Sequence, residues 1–320
     1  MKKSAPLVSI CVPAYNHEMY VQACIQSIIE QDYDNIELLV IDDGSSDNTW
    51  EKIRELVPLC EKRFVRFVAQ RQENAGAAET LLRLHEMSRG AFSGDIASDD
   101  QYLPGAVSAL VEPMLNDPSI GLVVGVNELM DSDGRTCYWD KDRNIVYNDA
   151  AAAYKTFTDY VEHCARIDFD SADFGSYKEL IKDNHVPNGS IRRNGIYRHW
   201  VPTDHGPILE DWWFHLQFSK VSKYRAIRRH TFRYRWHATN TMKNREAIAR
   251  MVLATQLCEM DLLSLPSNSR WRNIAKSSLR IVHVKWHLWK LFVWTVDTID
   301  YFSLCVGFMR WPIVLYKRAK

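Results

Sequence analysis

Ile36-Glu37-Leu38-Leu39-Val40-Ile41-Asp42-Asp43-Gly44-Ser45-Ser46-Asp47-Asn48-Thr49 is the stretch on which the reading of this 320-residue chain turns. An apolar run of strand formers ends abruptly at two adjacent carboxylates, followed by glycine and small hydroxyl residues. Buried parallel strands read as short continuous apolar runs, and open α/β sheets take their ligands beyond the carboxyl ends of the strands. Two charges at such a point are expensive to bury unless they meet water, hydroxyls or a cation. A solvated turn with an Asx cap accounts for one acid. A nucleotide pocket, with a carboxylate accepting from a base or ribose, accounts for both.

Upstream, Leu7 to Val12 reads as a first strand, stopped by Pro13-Ala14-Tyr15-Asn16. Val21, Cys24, Ile25, Ile28 and Ile29 fall at helical spacing and predict a helix over Tyr20 to Gln31. Downstream, the pattern predicts a helix from Thr49 to Cys60 capped by Asp47 or Asn48, a strand from Phe64 to Ala69 and a helix from Ala75 to Arg89. A helix from Pro104 to Leu115 and a strand from Gly121 to Val126 follow. This alternation predicts the α/β class, a mostly parallel sheet with covering helices. Beyond Asp131 the pattern loosens. Asp131-Ser132-Asp133-Gly134 reads as a hairpin turn, Asp149 to Cys164 as a helix, Pro187-Asn188-Gly189 as a turn, and Leu209 to Ser219 as a helix with acids in its first turn.

Forty Lys/Arg balance forty Asp/Glu, which argues against a dedicated nucleic-acid binder. The balance hides an asymmetry, because Arg270 to Lys320 holds ten basic residues against Asp297 and Asp300. The seven cysteines, at 11, 24, 60, 137, 164, 258 and 305, form no C-x-x-C pair, a pattern of reduced thiols. Met1 to Pro6 leads into a strand-like segment too short for the apolar core of a secretion signal. The expectation is a cytoplasmic catalytic body.

Ser98-Asp99-Asp100 is a second acidic turn; it either caps a helix or, with the first turn on the same sheet edge, holds Mg²⁺ or Mn²⁺ against a diphosphate. Glu210-Asp211 precedes Trp212-Trp213. Acids at a helix start complement its dipole, and a carboxylate beside bulky aromatics is also how a pKa rises toward that of a general base. His237 stands among polar neighbours in Tyr234-Arg235-Trp236-His237-Ala238-Thr239-Asn240-Thr241, as a packed residue or as a ligand. Asn74-Ala75-Gly76 opens a helix whose N–H groups either face an anion or are simply capped.

Taken in order, Pro13-Ala14-Tyr15-Asn16, Val40 through Thr49, Asn74-Ala75-Gly76, Ser98-Asp99-Asp100 and Glu210-Asp211 resemble the motifs of family 2 glycosyltransferases, inverting enzymes of the GT-A fold. The resemblance covers about residues 6–245. It implies a Rossmann-like GT-A domain over 1–245, with a nucleotide-sugar half at about 6–127, an acceptor half at about 128–245, and a helical C-terminal region at 246–320. It implies that Pro13, Tyr15, Asn16, Asp42, Asp43, Asn74, Gly76, Ser98, Asp99, Asp100, Glu210 and His237 contact substrate. Asp99 and His237 would hold Mn²⁺ or Mg²⁺, and Asp211 would be the catalytic base. The reaction implied moves a hexose or N-acetylhexosamine from a UDP-sugar to a hydroxyl of a glycan acceptor, lipid-diphosphate-linked, in O-antigen or capsule assembly. The route implied is a single displacement through an oxocarbenium-like transition state.

One departure stands out: Ala97 occupies a position where many members carry an acid. It is the residue that favours the alternative, a degenerate scaffold or sugar-binding partner in an assembly complex. An NAD enzyme would show G-x-G-x-x-G after the first strand, where Pro13-Ala14-Tyr15-Asn16 stands instead. In the tail, Trp271, Trp286, Trp289, Trp294 and Trp311 lie among basic residues, a composition suited to an interfacial helix on the anionic inner leaflet of the inner membrane. A spanning helix is disfavoured by Asp297 and Asp300, each about 2.5–3.5 kcal/mol on insertion. Packing on the catalytic domain is the other reading. Val186 to Arg198 is expected on the acceptor side.

Overall fold

The computed structural model describes residues 5–196, 202 and 205–279. In chain order it builds β1 (Val8–Ala14), α1 (Val21–Ile29), β2 (Ile36–Asp42), α2 (Thr49–Glu55), α3 (Val57–Arg63), β3 (Arg66–Arg71), α4 (Ala77–Met87), β4 (Phe92–Asp95), β5 (Gln101–Tyr102) and α5 (Ala106–Asn116). There follow β6 (Ile120–Met130), β7 (Thr136–Trp139), β8 (Ile145–Val146), α6 (Phe157–Ala165), α7 (Tyr177–Leu180), β9 (Ile191–Arg193), α8 (Glu210–Phe218), β10 (Lys223–Arg235), α9 (Arg245–Ser264) and α10 (Ser269–Leu279).

β2 is buried along its whole length, which is why its sequence runs apolar without alternation. The acid inside it, Glu37, accepts from Ser9 Oγ and pairs with Arg66 Nη1 at 2.6 Å. β3, β2, β1 and β4 are all parallel. β9 joins β4 to β6 antiparallel to both, and β10 then runs parallel to β6 with irregular register. The class is α/β as expected; the parallel order holds for the half built from β1 to β4, and the other half is mixed. Registers Ala14↔Asp42, Asp42↔Arg71 and Cys11↔Asp95 bring the carboxyl ends of β1, β2, β3 and β4 to one edge.

The structure corrects several expected elements. The helix expected over Thr49 to Cys60 is two helices with a break at Leu56, because Pro58 in the first turn of α3 has no N–H to give and clashes with the turn before it. Of the helix expected from Asp149, only α6 forms beyond a single tight turn, started by a Thr156/Asp159 capping box. Residues 131–134 do turn β6 back onto β7.

The chain separates into two compact units, Met1–Val201 with Glu210–Ala238, and Pro202–Leu209 with Thr239–Lys320. The first holds the sheet, with Ile10, Ile25, Leu38, Leu110 and Phe232 in its core. In the second, α9 packs on α10, and Thr255 Oγ1 accepts from Leu209 N at 2.9 Å. Among the described residues no helix is long and apolar enough to cross a membrane. The expected interfacial segment beyond Leu279 lies outside the described residues.

Candidate active site

At the shared strand edge, three loops are tied side by side. Asp42 is fully buried; its Oδ1 accepts from Ser45 Oγ, and that hydroxyl in turn accepts from Asn16 N at 2.9 Å. Asn16 adopts φ +52°, which turns its Oδ1 to accept from Ser46 N at 2.8 Å. Arg71 Nε lies 3.0 Å from Asp42 Oδ2, close enough for charge pairing but not aligned to donate, so this buried oxygen has no hydrogen-bond donor among the described residues.

Asp43 faces the next loop. Its Oδ1 accepts from Gln72 Nε2 at 2.7 Å and Ala75 N at 2.9 Å, and its Oδ2 accepts from Gly76 N at 2.9 Å. Burial pushes the Asp43 carboxyl up, but these bonds outweigh it and hold it below the ordinary carboxylate range. Of the Asn74-Ala75-Gly76 turn, expected either to face an anion or to be simply capped, the N–H groups of Ala75 and Gly76 face Asp43. Pro13 is half-buried in β1, and Tyr15 is exposed.

The acidic turn lies on the other side of the first loop. His17 Nδ1 contacts Ser98 Oγ at 2.7 Å, and His237, just past β10, places Nε2 2.9 Å from Asp99 Oδ2. Burial pushes the Asp99 carboxyl up, but the His237 contact and the two imidazoles prevail and hold it low. Asp100 goes the other way. It is fully buried, its Oδ1 accepts from Arg235 N at 2.8 Å, and burial plus the neighbouring Asp99 push it well above the ordinary range. The two carboxyls of the turn are thus pushed in opposite directions. Arg235 binds it to the body of the fold, donating from Nε to Asp99 O at 2.6 Å and from Nη1 to Asp131 O at 3.0 Å. Its guanidinium lies 4.6 Å over the Tyr20 ring. Ligand atoms of His17, Asp99 and His237 all lie within 4.8 Å of one another, a donor set of two imidazoles and one carboxylate that fits a divalent cation. Ala97 is exposed and offers no ligand.

Glu210 and Asp211 open α8, ahead of the buried Trp212 and Trp213. Asp211 Oδ1 accepts from Trp212 N at 2.6 Å and Oδ2 from Asn184 Nδ2 at 2.8 Å. Asp211 keeps solvent access on one side while protein crowds the other, and the lost hydration raises its carboxyl despite both bonds. Burial and the Asp211 charge push Glu210 up to about 7. Burial raises the Tyr234 hydroxyl first, and Asp100 and Asp99 add to it, while Arg143 opposes them.

Sequence reasoning missed His17, Arg235, Arg71 and Asn184. His17 directly follows the Pro-Ala-Tyr-Asn turn, and that adjacency was its one available signal. Asn184 sits in a polar stretch with no period and left none.

A sheet whose acid-rich loops gather at the carboxyl ends of its strands, with a His–Asp cluster and an acid of raised pKa, is the architecture of a nucleotide-sugar transferase of the GT-A type. The chain belongs to glycosyl transferase family 2, whose model matches residues 9–175. It is 35% identical to a chondroitin synthase of Escherichia coli over 133 residues, 41% of this chain and 19% of that protein. It is 33% identical over 142 residues to the E. coli UDP-Glc:alpha-D-GlcNAc-diphosphoundecaprenol beta-1,3-glucosyltransferase WfgD, 44% of this chain and 54% of that protein. The matches thus span about a fifth and about half of these relatives.

Among solved structures, Staphylococcus aureus TarS 1–349 with UDP-GlcNAc superposes with a TM-score of 0.55 at 14% identity, covering 85% of this chain and 71% of that one. The mannosyltransferase PcManGT of Pyrobaculum calidifontis, with GDP-Man and Mn²⁺, gives 0.54 at 14% identity, covering 87% and 75%. At these identities the likeness is one of fold.

Proposed function

We propose that this glycosyltransferase moves a hexose or N-acetylhexosamine, with inversion, from a UDP-sugar to a hydroxyl of a lipid-diphosphate-linked glycan acceptor in surface-polysaccharide assembly. The observation that carries it is the His17–Asp99–His237 cluster, whose donor set fits a divalent cation, and beside it we count Asp211 at the exposed start of α8, its carboxylate held by Trp212 N and Asn184 Nδ2. WfgD, by its name, uses UDP-Glc and a diphosphoundecaprenol-linked GlcNAc, and TarS was solved with UDP-GlcNAc; both support the choice of donor and acceptor.

In this reading Asp42, with its donorless Oδ2, accepts from the ribose or base, and Asp43 holds the loop that shapes the pocket. Pro13, Tyr15, Asn16, Asn74, Gly76 and Ser98 line the donor side, within residues 6–127, and residues 128–245 receive the acceptor. Asp211 takes the proton of the acceptor hydroxyl as it attacks the anomeric carbon from the face opposite the diphosphate. Glu210, beside that base, contacts the substrate. Asp99 and His237 would hold Mn²⁺ or Mg²⁺, which when bound supplies positive charge to the departing diphosphate. Asp100, accepting from Arg235 N, fixes the turn.

The test is a panel of nucleotide-sugars against lipid-diphosphate acceptors, with and without Mn²⁺. A β-linked product from an α-linked donor is expected. No product with any pair, together with no metal-dependent hydrolysis of donor, would favour the scaffold reading that Ala97 allows. We also place the basic, tryptophan-rich tail on the cytoplasmic face of the inner membrane; the full chain should sediment with anionic vesicles at low salt and be released by high salt. A chain that stays in the supernatant at low salt would remove this placement.

A further inference from the structure

We propose that His17 is a direct ligand of the cation that Asp99 and His237 would hold, and that the resulting two-imidazole, one-carboxylate set selects Mn²⁺ over Mg²⁺. The proposal deepens the metal-dependent reading above and rests on it.

Ligand atoms of the three residues already lie within 4.8 Å of one another. Ligands on one ion stand about 3–4 Å apart when metal–ligand bonds are about 2.1 Å, so small side-chain shifts suffice. The His17 and His237 rings stand 6.2 Å apart at 89°, and the two imidazoles approach from different directions. Ser98 Oγ holds His17 by Nδ1 at 2.7 Å, which leaves Nε2 as the ring nitrogen for an ion. An outer partner on the second ring nitrogen is the usual way a metal-binding imidazole is oriented. The backbone is pinned as well, since His17 N donates to Thr49 Oγ1 at 2.8 Å and Asp99 O accepts from Arg235 Nε at 2.6 Å.

Of the two carboxylates of the turn, Asp99 alone falls within the cluster. Ala97 has none, and Asp100 Oδ1 accepts from Arg235 N. Without His17 the cluster, among the described residues, would offer a single imidazole and a single carboxylate. With it, nitrogen outnumbers oxygen. Mg²⁺ takes oxygen ligands and keeps its waters, whereas imidazole suits first-row transition ions, whose affinities begin at Mn²⁺ and rise toward Co²⁺.

Mn²⁺ titration of the full chain, with and without UDP, followed by electron paramagnetic resonance of the free ion, measures binding without reference to activity. Pulsed resonance on the bound ion counts coupled imidazole nitrogens. One Mn²⁺ with two coupled nitrogens is expected, poorly displaced by a large excess of Mg²⁺. His17→Gln, which keeps a polar group at Ser98, should weaken Mn²⁺ by about tenfold or more and leave one coupled nitrogen. Asp99→Asn should lose the ion. Unchanged affinity in His17→Gln with loss in Asp99→Asn overturns the role of His17 alone, as does a single coupled nitrogen in the unaltered protein. A chain that binds no Mn²⁺ at all overturns the metal reading with it. A two-nitrogen spectrum without transferase activity supports the ligand assignment and removes the donor and acceptor reading instead.

Discussion

Asp211 and Asp99 are both carboxylates at loop ends, yet their surroundings push them apart: burial dominates at Asp211 and raises it, while the His237 contact prevails at Asp99 and lowers it. Groups separated in this way take different tasks in one site. Asp211→Asn should lower transfer by about 10²–10⁴-fold with little change in donor affinity, as read from kcat and donor KM. Because the base must be ionised, kcat/KM should fall on the acid side through a pKa above the ordinary aspartate value. The bond from Asn184 Nδ2 is among those that hold this carboxyl down. Asn184→Ala should therefore move the acid limb of the pH–rate profile to higher pH, which a merely structural role for Asn184 would not do.

At the scale of elements, β9 is the short strand that couples the parallel half-sheet to β6 and β10, and its residues carry unusual loads. Arg192 pairs with Asp95 at the end of β4 at 2.7 Å, and Asp95 also meets His85 at 2.8 Å. Burial would raise Asp95, but Arg192 and His85 hold it far below the ordinary range. A carboxylate with a depressed folded pKa stabilises the fold above its unfolded value of about 3.9 and loses that contribution as pH falls below it. Asp95→Asn should thus lower neutral-pH stability, by about 3 kcal/mol if Arg192 is left unpaired, and flatten the acid-unfolding profile. The turn before β9 depends on Gly189, at φ +74°, where an added Cβ would lie 2.1 Å from the Phe232 ring. Gly189→Ala should destabilise by about 1–3 kcal/mol in denaturant unfolding, since ring and backbone would have to part.

Across the whole molecule, the strands β1 and β2 were legible because each is a buried apolar run, and α1 because its buried residues repeat at 3.6; β3, half-buried with polar residues at both ends, lies at Arg66–Arg71, two residues later than the strand expected over Phe64 to Ala69. β10 was not legible: Lys223–Arg235 is rich in basic residues and reads as surface until β6 and β5 pair with it. The break between α2 and α3 was signalled by Pro58 and overridden by the apolar pattern around it. Of the site, the acids and His237 were readable as loop-end residues of the right chemical type in a familiar order, whereas His17 carries no local mark that separates it from an ordinary turn histidine.

What the sequence determined by itself is the inventory of reactive groups and the half-sheet that presents them, because hydrophobic periodicity is a property of near neighbours. Only the tertiary structure decided that the Asp99 and Asp100 carboxyls are pushed in opposite directions, that Asp43 turns inward to hold its neighbouring loop, and that His17 joins the cluster. Those outcomes depend on partners 81 residues from His17, at Ser98, and 138 residues from Asp99, at His237. Desolvation and charge act through space, and no window of sequence contains them.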